Sequence, residues 1–400
     1  MLASELNLLI DKQREEWKLS NGVLREKMRG IPVLDNYATI ISGIRRCGKS
    51  TLLRQWQSIQ EQPTLMLSFD DLRMTGFTQD DFRVLDYVIA GRKARVLLFD
   101  EIQTIPHWEL YIRQKLDEGC SCLVTGSNAS MLSRELGTKL TGRHIDVELA
   151  PFSFNEFLAF SRQERTASSF RDYLSRGGMP GYLSNGNSEV LRTLLDDIIY
   201  RDIAVRYGLG DVNLLRSLCL YLFGNLANLV NPSRLLQTFK VRSATTMLEY
   251  FSYLEQAYLV HRMLKFSHSI RAQQLAPKKI YIADSALHGL GQVAPTPDMG
   301  YLLENAVYGF LRQRWPEIHY FADDGCECDF VVQDAHGAFQ AFQVCWELTD
   351  ACRERELRGL ESAMKRLGLK EGVIVTFDQR DFAIMEGREV HVVPAWEFFK

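Results

Sequence analysis

The feature that most constrains this 400-residue chain is an octapeptide of the form G-x-x-x-x-G-K-S at residues 43–50. It follows a β-rich run, residues 37–42, and precedes a helical pattern from Ser50 to about Gln60. A strand that opens through glycines into a helix is the setting in which this spacing cradles a phosphate. Gly43 and Gly48 let the backbone curl, so that the N–H groups of Ile44, Arg45, Arg46, Cys47 and Gly48 can face one anion. The helix N-terminus adds its partial positive charge. Lys49 would reach the β- and γ-phosphates, Ser50 would hold Mg²⁺, and Thr51 closes the segment. A glycine-rich turn with an exposed lysine could carry the same letters, so the assignment needs a second element.

That element is the apolar run 95–99, which ends in Asp100-Glu101. Asp100 sits where a carboxylate binds Mg²⁺, and Glu101 where a base polarises the attacking water. Acidic pairs at strand ends are often solvated turn residues. Downstream of a phosphate loop they complete a nucleotide site for ATP or GTP. A third strand, residues 120–125, leads into Thr125-Gly-Ser-Asn128 and is expected between the other two. Asn128, or else Ser127, could hydrogen-bond the γ-phosphate and the lytic water; the plainer alternative is a helix N-cap. Short strands alternating with helices up to residue 149 predict a parallel sheet flanked by helices.

Gly43–Thr51, Leu97–Glu101 and Val124–Asn128 resemble the P-loop, Walker B and sensor-1 segments of AAA-type ATPases. Leu140-Thr-Gly-Arg143, followed by Leu149-Ala-Pro-Phe-Ser-Phe-Asn-Glu-Phe157, is similar to a bacterial and archaeal AAA group whose members carry a C-terminal domain of unknown function. Gly177-Gly-Met-Pro180, Arg201-Asp202, Lys279–Asp284 and Leu303-Glu304-Asn305 look like the same group, so the resemblance covers nearly the whole chain. It implies ATP rather than GTP, and an arginine that stabilises charge on the γ-phosphate. Arg143 is the first candidate for that arginine and Arg134 the second, against a surface arginine paired with Asp146 or Glu148. Action in trans would require a homo-oligomer.

The second half changes character. Residues 152–265 read as almost all helical, with a break at Gly177–Gly181, and strands return from about residue 279. Ser233–Phe239, a turn at 240–242 and Ser243–Leu254 form a helix–turn–helix-like pattern, with Met247, Tyr250 and Leu254 on the packed face. The apolar run 258–264 looks like the first strand of a wing, and the family resemblance also implies a winged helix. Such a module would place residues 243–252 in the major groove of duplex DNA. Arg234, Lys240, Arg242, Arg262, Lys265 and Arg271 could form a basic rim, yet the second helix itself carries Glu249 and no cation. The same module also serves as an ATPase lid or a protein-packing element.

Glu304, Asp329 in Cys328-Asp-Phe-Val-Val332, and Gln343-Val-Cys345 match the spacing of a restriction-endonuclease-like site. That pattern uses a helix Glu, a strand Asp and Glu/Gln-x-Lys. The lysine position is Cys345 and Gln343 brings no charge, so cleavage is not expected. A lysine from elsewhere, such as Lys365, would have to replace it.

Composition closes off other classes. Hydrophobic residues make up 46% and charged residues 24%, which excludes a disordered chain, and no run approaches the roughly 20 apolar residues of a spanning helix. The net charge of −3 gives no global basic footprint for nucleic acid. Eight cysteines lack C-x-x-C spacing and are expected to be reduced thiols in a cytoplasmic protein, with Cys120 and Cys122 as packing residues. The expected fold is α/β: a P-loop AAA-type ATPase domain over 1–160, a helical segment with a winged helix over 161–275, and an inactive nuclease-like α/β domain over 276–400. The expected activity is Mg²⁺-dependent ATP hydrolysis that drives a motor or switch. It acts on double-stranded DNA or, alternatively, gates contacts with protein partners; no membrane role is expected.

Overall fold

The computed structural model describes residues 1–18, 22–126, 142–241, 243–292 and 298–400. The chain divides into two compact units, Met1–Leu149 and Ala150–Lys400.

In the first unit, β1 (Ala38–Ser42), β2 (Thr64–Ser68), β3 (Val96–Asp100), β4 (Ser121–Thr125) and β5 (His144–Glu148) form a parallel sheet in the order β2-β3-β4-β1-β5. β1, β3 and β4 are buried at every position, as strands covered on both faces must be. Edge strand β5 is half-exposed, as its mixed His-Ile-Asp-Val-Glu sequence anticipates. The helices are α1 (Ala3–Lys18), α2 (Lys49–Ser58), α3 (Phe82–Arg92) and α4 (Trp108–Asp117). Leu6 and Ile10 of α1, Leu85 and Ile89 of α3, and Trp108 and Ile112 of α4 share one core with Leu97 and Phe99 of β3. Phe82 stacks on Tyr111 with ring centroids 4.0 Å apart. Because every strand is parallel, Ser42, Ser68, Asp100 and Thr125 all lie at the carboxyl edge of the sheet, where open α/β sheets bind ligands.

The second unit opens with helices: α5 (Phe154–Ser161), α6 (Ala167–Arg176), α7 (Pro180–Asn185) and α8 (Glu189–Asp196), the last running into a π-helical stretch over Asp197–Ala204. Ser153 with Glu156, and Thr166 with Ser169, form capping boxes that start α5 and α6. α9 (Val212–Gly224), α10 (Pro232–Thr238) and α11 (Ala244–Gln256) follow.

The sheet of this unit has nine strands in the order β13-β14-β12-β11-β10-β9-β7-β8-β6. They are β6 (Leu229–Val230), β7 (Val260–Lys265), β8 (Lys278–Ile282), β9 (Glu317–Asp323), β10 (Cys326–Gln333), β11 (Phe339–Cys345), β12 (Glu371–Thr376), β13 (Asp381–Met385) and β14 (Arg388–Pro394). α12 (Met299–Arg312) precedes β9, and α13 (Asp350–Leu367) carries the crossover between the parallel pair β11 and β12. A Cβ on Gly359 would come within 2.0 Å of the Glu327 carbonyl oxygen, so glycine there lets α13 lie directly on β10. The span 152–265 is mostly helical, with β7 where a strand was expected over 258–264 and the two-residue β6 as an addition. The β13–β14 hairpin is an addition to the expected strands.

Candidate functional site

The octapeptide forms a tight loop at the end of β1. Gly43 has φ 141° and Gly48 φ 103°, both in the region that side chains avoid. A Cβ on Gly43 would lie 2.2 Å from the Leu149 carbonyl oxygen, so the first glycine is required by contact as well as by dihedral. Ile44 and Cys47 are buried, and the Cys47 thiol donates to the Leu149 carbonyl at 3.3 Å. Arg25 Nη1 donates to the Cys47 carbonyl at 2.6 Å. Arg45 is half-buried and Arg46 exposed. α2 begins at Lys49, whose buried ammonium donates to the Gly43 and Ile44 carbonyls at 2.9 and 3.1 Å. Thr51 lies in the first turn of α2.

Three hydroxyls converge on the buried Asp100 carboxylate. Ser50 Oγ and Thr125 Oγ1 donate to Oδ1 at 2.9 and 2.6 Å, and Ser68 Oγ donates to Oδ2 at 3.0 Å. Thr125 Oγ1 also accepts from the Glu101 backbone N–H at 3.1 Å. Glu101 has φ 55°, a left-handed conformation that turns its side chain out of the strand direction, and Gln103 Nε2 donates to its carboxylate. Burial pushes the Glu101 carboxyl up to about 7; the Lys49 charge opposes this and the Asp100 charge adds to it. Phosphate-loop backbone, lysine, serine, buried carboxylate and a second carboxylate poised near neutrality thus share the carboxyl edge of the sheet. The donor set fits Mg²⁺ as a nucleotide uses it. Ser50 and Asp100 supply two oxygens, and among the described residues no group of three or more His, Cys, Asp or Glu side chains could hold an ion alone.

Arg143 is not brought to this site. It precedes β5, whose His144 pairs with Ala38 at the amino end of β1, and its backbone carbonyl accepts from Ala38 N–H at 3.1 Å. The length of β1, about 13 Å at roughly 3.3 Å per residue, separates that end from the loop. Its Nη2 pairs with Asp117 at 2.8 Å, not with Asp146 or Glu148. Strand polarity carried this signal: a residue ahead of a strand parallel to β1 must lie opposite the loop. Asn128, Ser127 and Arg134 lie outside the described residues.

Ser68, Thr125 and Arg54 join the site in roles that sequence reasoning missed. The Arg54 guanidinium lies 5.0 Å from the Trp17 ring centroid. Its Nε is buried without a hydrogen-bond partner among the described residues. Burial lowers its pKa against the pull of Asp100. Its position four residues after Ser50, one turn on along the same helix face, was the available signal.

Residues 35–158 match the AAA domain family. The first unit has a P-loop AAA-type fold: a five-stranded parallel sheet with flanking helices. Residues 167–292 match a domain of unknown function, DUF8612. An uncharacterized protein of Methanocaldococcus jannaschii is 27% identical over 399 residues, 92% of this chain and 89% of that one. An uncharacterized protein of Haemophilus influenzae is 27% identical over 385 residues, 90% of this chain and 94% of the other. Among solved structures, a Walker-type ATPase of Pyrococcus abyssi is similar over 64% of this chain and 92% of its own, at 16% identity and a TM-score of 0.42. DnaA of Aquifex aeolicus is similar over 57% and 85%, at 17% identity and a TM-score of 0.27.

In the second unit, α10 and α11 stand where the two helices of the helix–turn–helix-like pattern were expected, and β7 pairs antiparallel with β8. Met247, Tyr250 and Leu254 are buried on α11, together with Phe251. Its exposed positions include Thr245, Leu248 and Glu249. Arg262 is paired with Glu255, which removes one cation from the expected rim; Arg242 lies outside the described residues. Cys345 stands where a nuclease-like site would carry lysine, and its thiol donates to the Glu347 carbonyl. Lys365 pairs with Glu386 at 2.8 Å and Glu361 at 3.3 Å on the surface. Among the described residues, no helix is long and apolar enough to cross a membrane.

Proposed function

We propose that the chain binds Mg²⁺-ATP at residues 43–51 and hydrolyses its β–γ bond, using the cycle as a conformational switch. The observation that carries this reading is the convergence of Ser50, Ser68 and Thr125 on Asp100 beneath the loop, with Glu101 alongside. The loop N–H groups and Lys49 would neutralise the β- and γ-phosphates. Ser50 and Asp100 would hold the magnesium ion, which supplies charge neutralisation of the phosphate oxygens. Glu101 would orient a water for in-line attack on the γ-phosphorus and accept its proton, a role suited to a carboxyl near neutrality. The γ-phosphorus gains the water oxygen and loses the bridging oxygen, which leaves as the β-phosphate of ADP. Arg45, whose charge acts on Glu101, and Arg54, whose charge acts on Asp100, are placed to add positive charge in the same chain. Arg143 could serve only the site of another copy.

Duplex DNA acting on the α10–α11 module is one reading of the output. The exposed Thr245, Leu248 and Glu249 of α11, and the neutralised Arg262, favour a second: contacts with a protein partner gated by the nucleotide. The test is ATP turnover at low salt with and without duplex DNA. Lys49→Ala is expected to lose nucleotide binding, and Glu101→Gln to keep binding while turnover falls about 10² to 10⁴-fold. Stimulation by DNA selects the first output, and indifference selects the second. Undiminished turnover in Lys49→Ala would refute the site itself.

A further inference from the structure

The end of β2 is held from outside the sheet. β2 is an edge strand with β3 on one side, and its last residue, Ser68, pairs in register with Asp100. A side chain of α1 closes the open side. Gln13 is 1% exposed; its Oε1 accepts from the Ser68 N–H at 3.0 Å, and its Nε2 donates to the Ser68 carbonyl at 3.1 Å. A carboxamide carries a donor and an acceptor side by side, as a peptide group does, so Gln13 serves this residue as a neighbouring strand would. Its Nε2 also donates to Asp71 Oδ2 at 2.9 Å. Arg73 Nη2 ties Asp71, at 2.7 Å, to Glu16 of α1, at 2.9 Å. The helix therefore grips the chain from Ser68 to Arg73.

This grip bears on Asp100. Of the three hydroxyls on that carboxylate, Ser50 is the one that would hold the ion, which leaves Ser68 on Oδ2 and Thr125 on Oδ1 to orient it. Thr125 ends β4, which has β3 and β1 on either side; Ser68 takes its outer support from Gln13. Trp17, one turn beyond Gln13, gives α1 a second path to the same group. Its ring centroid lies 5.0 Å from the guanidinium of Arg54, whose charge acts on Asp100. Yet α1 (Ala3–Lys18) lies ahead of residue 35, where the match to the AAA domain family begins.

We propose that Gln13 is a positioning residue of the nucleotide site: through the Ser68 hydroxyl it holds Asp100 in the orientation that takes Mg²⁺, so that α1 sets how tightly the ion is held with its nucleotide. The inference rests on the Mg²⁺-ATP reading above. Groups that orient a metal-binding side chain typically carry about 10- to 100-fold in metal affinity. A glutamine that only satisfied buried backbone groups would add stability and leave the Mg²⁺ requirement unchanged.

The test is binding of a fluorescent, non-hydrolysable ATP analogue to the full chain, titrated with Mg²⁺ and repeated in EDTA. Ser68→Ala keeps both backbone bonds to Gln13 and should raise the Mg²⁺ concentration at half-saturation about tenfold. Gln13→Met, of similar length and volume, should raise it by a similar factor. Binding in EDTA should match the parent in both. With Ser68→Ala already present, Gln13→Met should add nothing, because both act through one hydroxyl. If Gln13→Met does not fold, Gln13→Ser, which lets water reach Ser68, takes its place under the same criteria. An unchanged Mg²⁺ requirement in the folded Gln13 variant, or effects of the two substitutions that multiply, would overturn the proposal. A parent whose binding ignores Mg²⁺ would overturn the nucleotide reading and this inference with it. A parent that needs Mg²⁺, beside a Gln13 variant that needs no more, would overturn this inference alone.

Discussion

Thr125→Val tests how Asp100 and Glu101 are held. The Thr125 hydroxyl is fully buried, donates to Asp100 at 2.6 Å and accepts from the Glu101 N–H at 3.1 Å. Valine has nearly the same shape but makes neither bond. Asp100 keeps Ser50 and Ser68, so the loss of one donor to a charged acceptor costs toward the lower end of about 1.5–3 kcal/mol. The Glu101 N–H is left without this partner at about 1–3 kcal/mol, and the added methyl returns about 0.8 kcal/mol. The net expectation is a loss of about 3 kcal/mol, read as a lower urea midpoint at constant slope. Release of the Glu101 backbone also lets its carboxylate drift, so kcat should fall about tenfold to a hundredfold. KM for ATP should hold, because the loop and Lys49 are untouched. Thr125→Ser keeps both bonds and should restore kcat and stability. A valine variant as stable and active as the parent, or one that raises KM at unchanged kcat, would refute the positioning argument.

Asp284 gives a pH prediction. Its buried carboxylate accepts from the Gly178 N–H at 2.6 Å and the Ala286 N–H at 2.9 Å, yet burial pushes it from 3.8 up to about 7. A carboxyl raised in the folded state favours folding below its unfolded pKa, and that contribution is lost as pH rises toward 7. At about 1.4 kcal/mol per pH unit, the loss is at most about 4 kcal/mol. Asp284→Asn should flatten the difference between urea midpoints at pH 4 and pH 8, and an unchanged difference would exonerate this carboxyl. For Arg143→Ala, the half-exposed pair with Asp117 predicts a stability change of about 0–1 kcal/mol. Its per-chain turnover in the dilute monomer should be unchanged; a loss that persists at every protein concentration would contradict the strand-end placement.

The nucleotide half was legible because its signals are local. The loop spacing, the acidic pair after an apolar strand and the alternation of short strands with helices each sit within a few residues. What escaped was convergence. Nothing near Thr125 distinguishes its hydroxyl from Ser127 or Asn128 until β4 lies between β3 and β1, which brings that hydroxyl within reach of Asp100. Lys279, which pairs with Asp329 at 2.7 Å, lies 50 residues from it, on a strand separated from β10 in the sheet by β7 and β9. No spacing rule connects them. The β13–β14 hairpin escaped for a different reason. Phe382 and Ile384 are 49% and 68% exposed at the sheet edge, so its apolar residues do not mark a buried face.

The contact at Gly43 reaches beyond nucleotide chemistry. Leu149 donates its N–H to the Ser42 carbonyl at 2.8 Å, and its own carbonyl takes the Cys47 thiol and leaves no room for a side chain on Gly43. Leu149 is also the last residue of the first unit. A loop that tightens around a phosphate must therefore carry that carbonyl with it or release it. The next residue, Ala150, begins the second unit, so the contact that fixes the loop and the boundary between the units are one peptide bond apart in the chain.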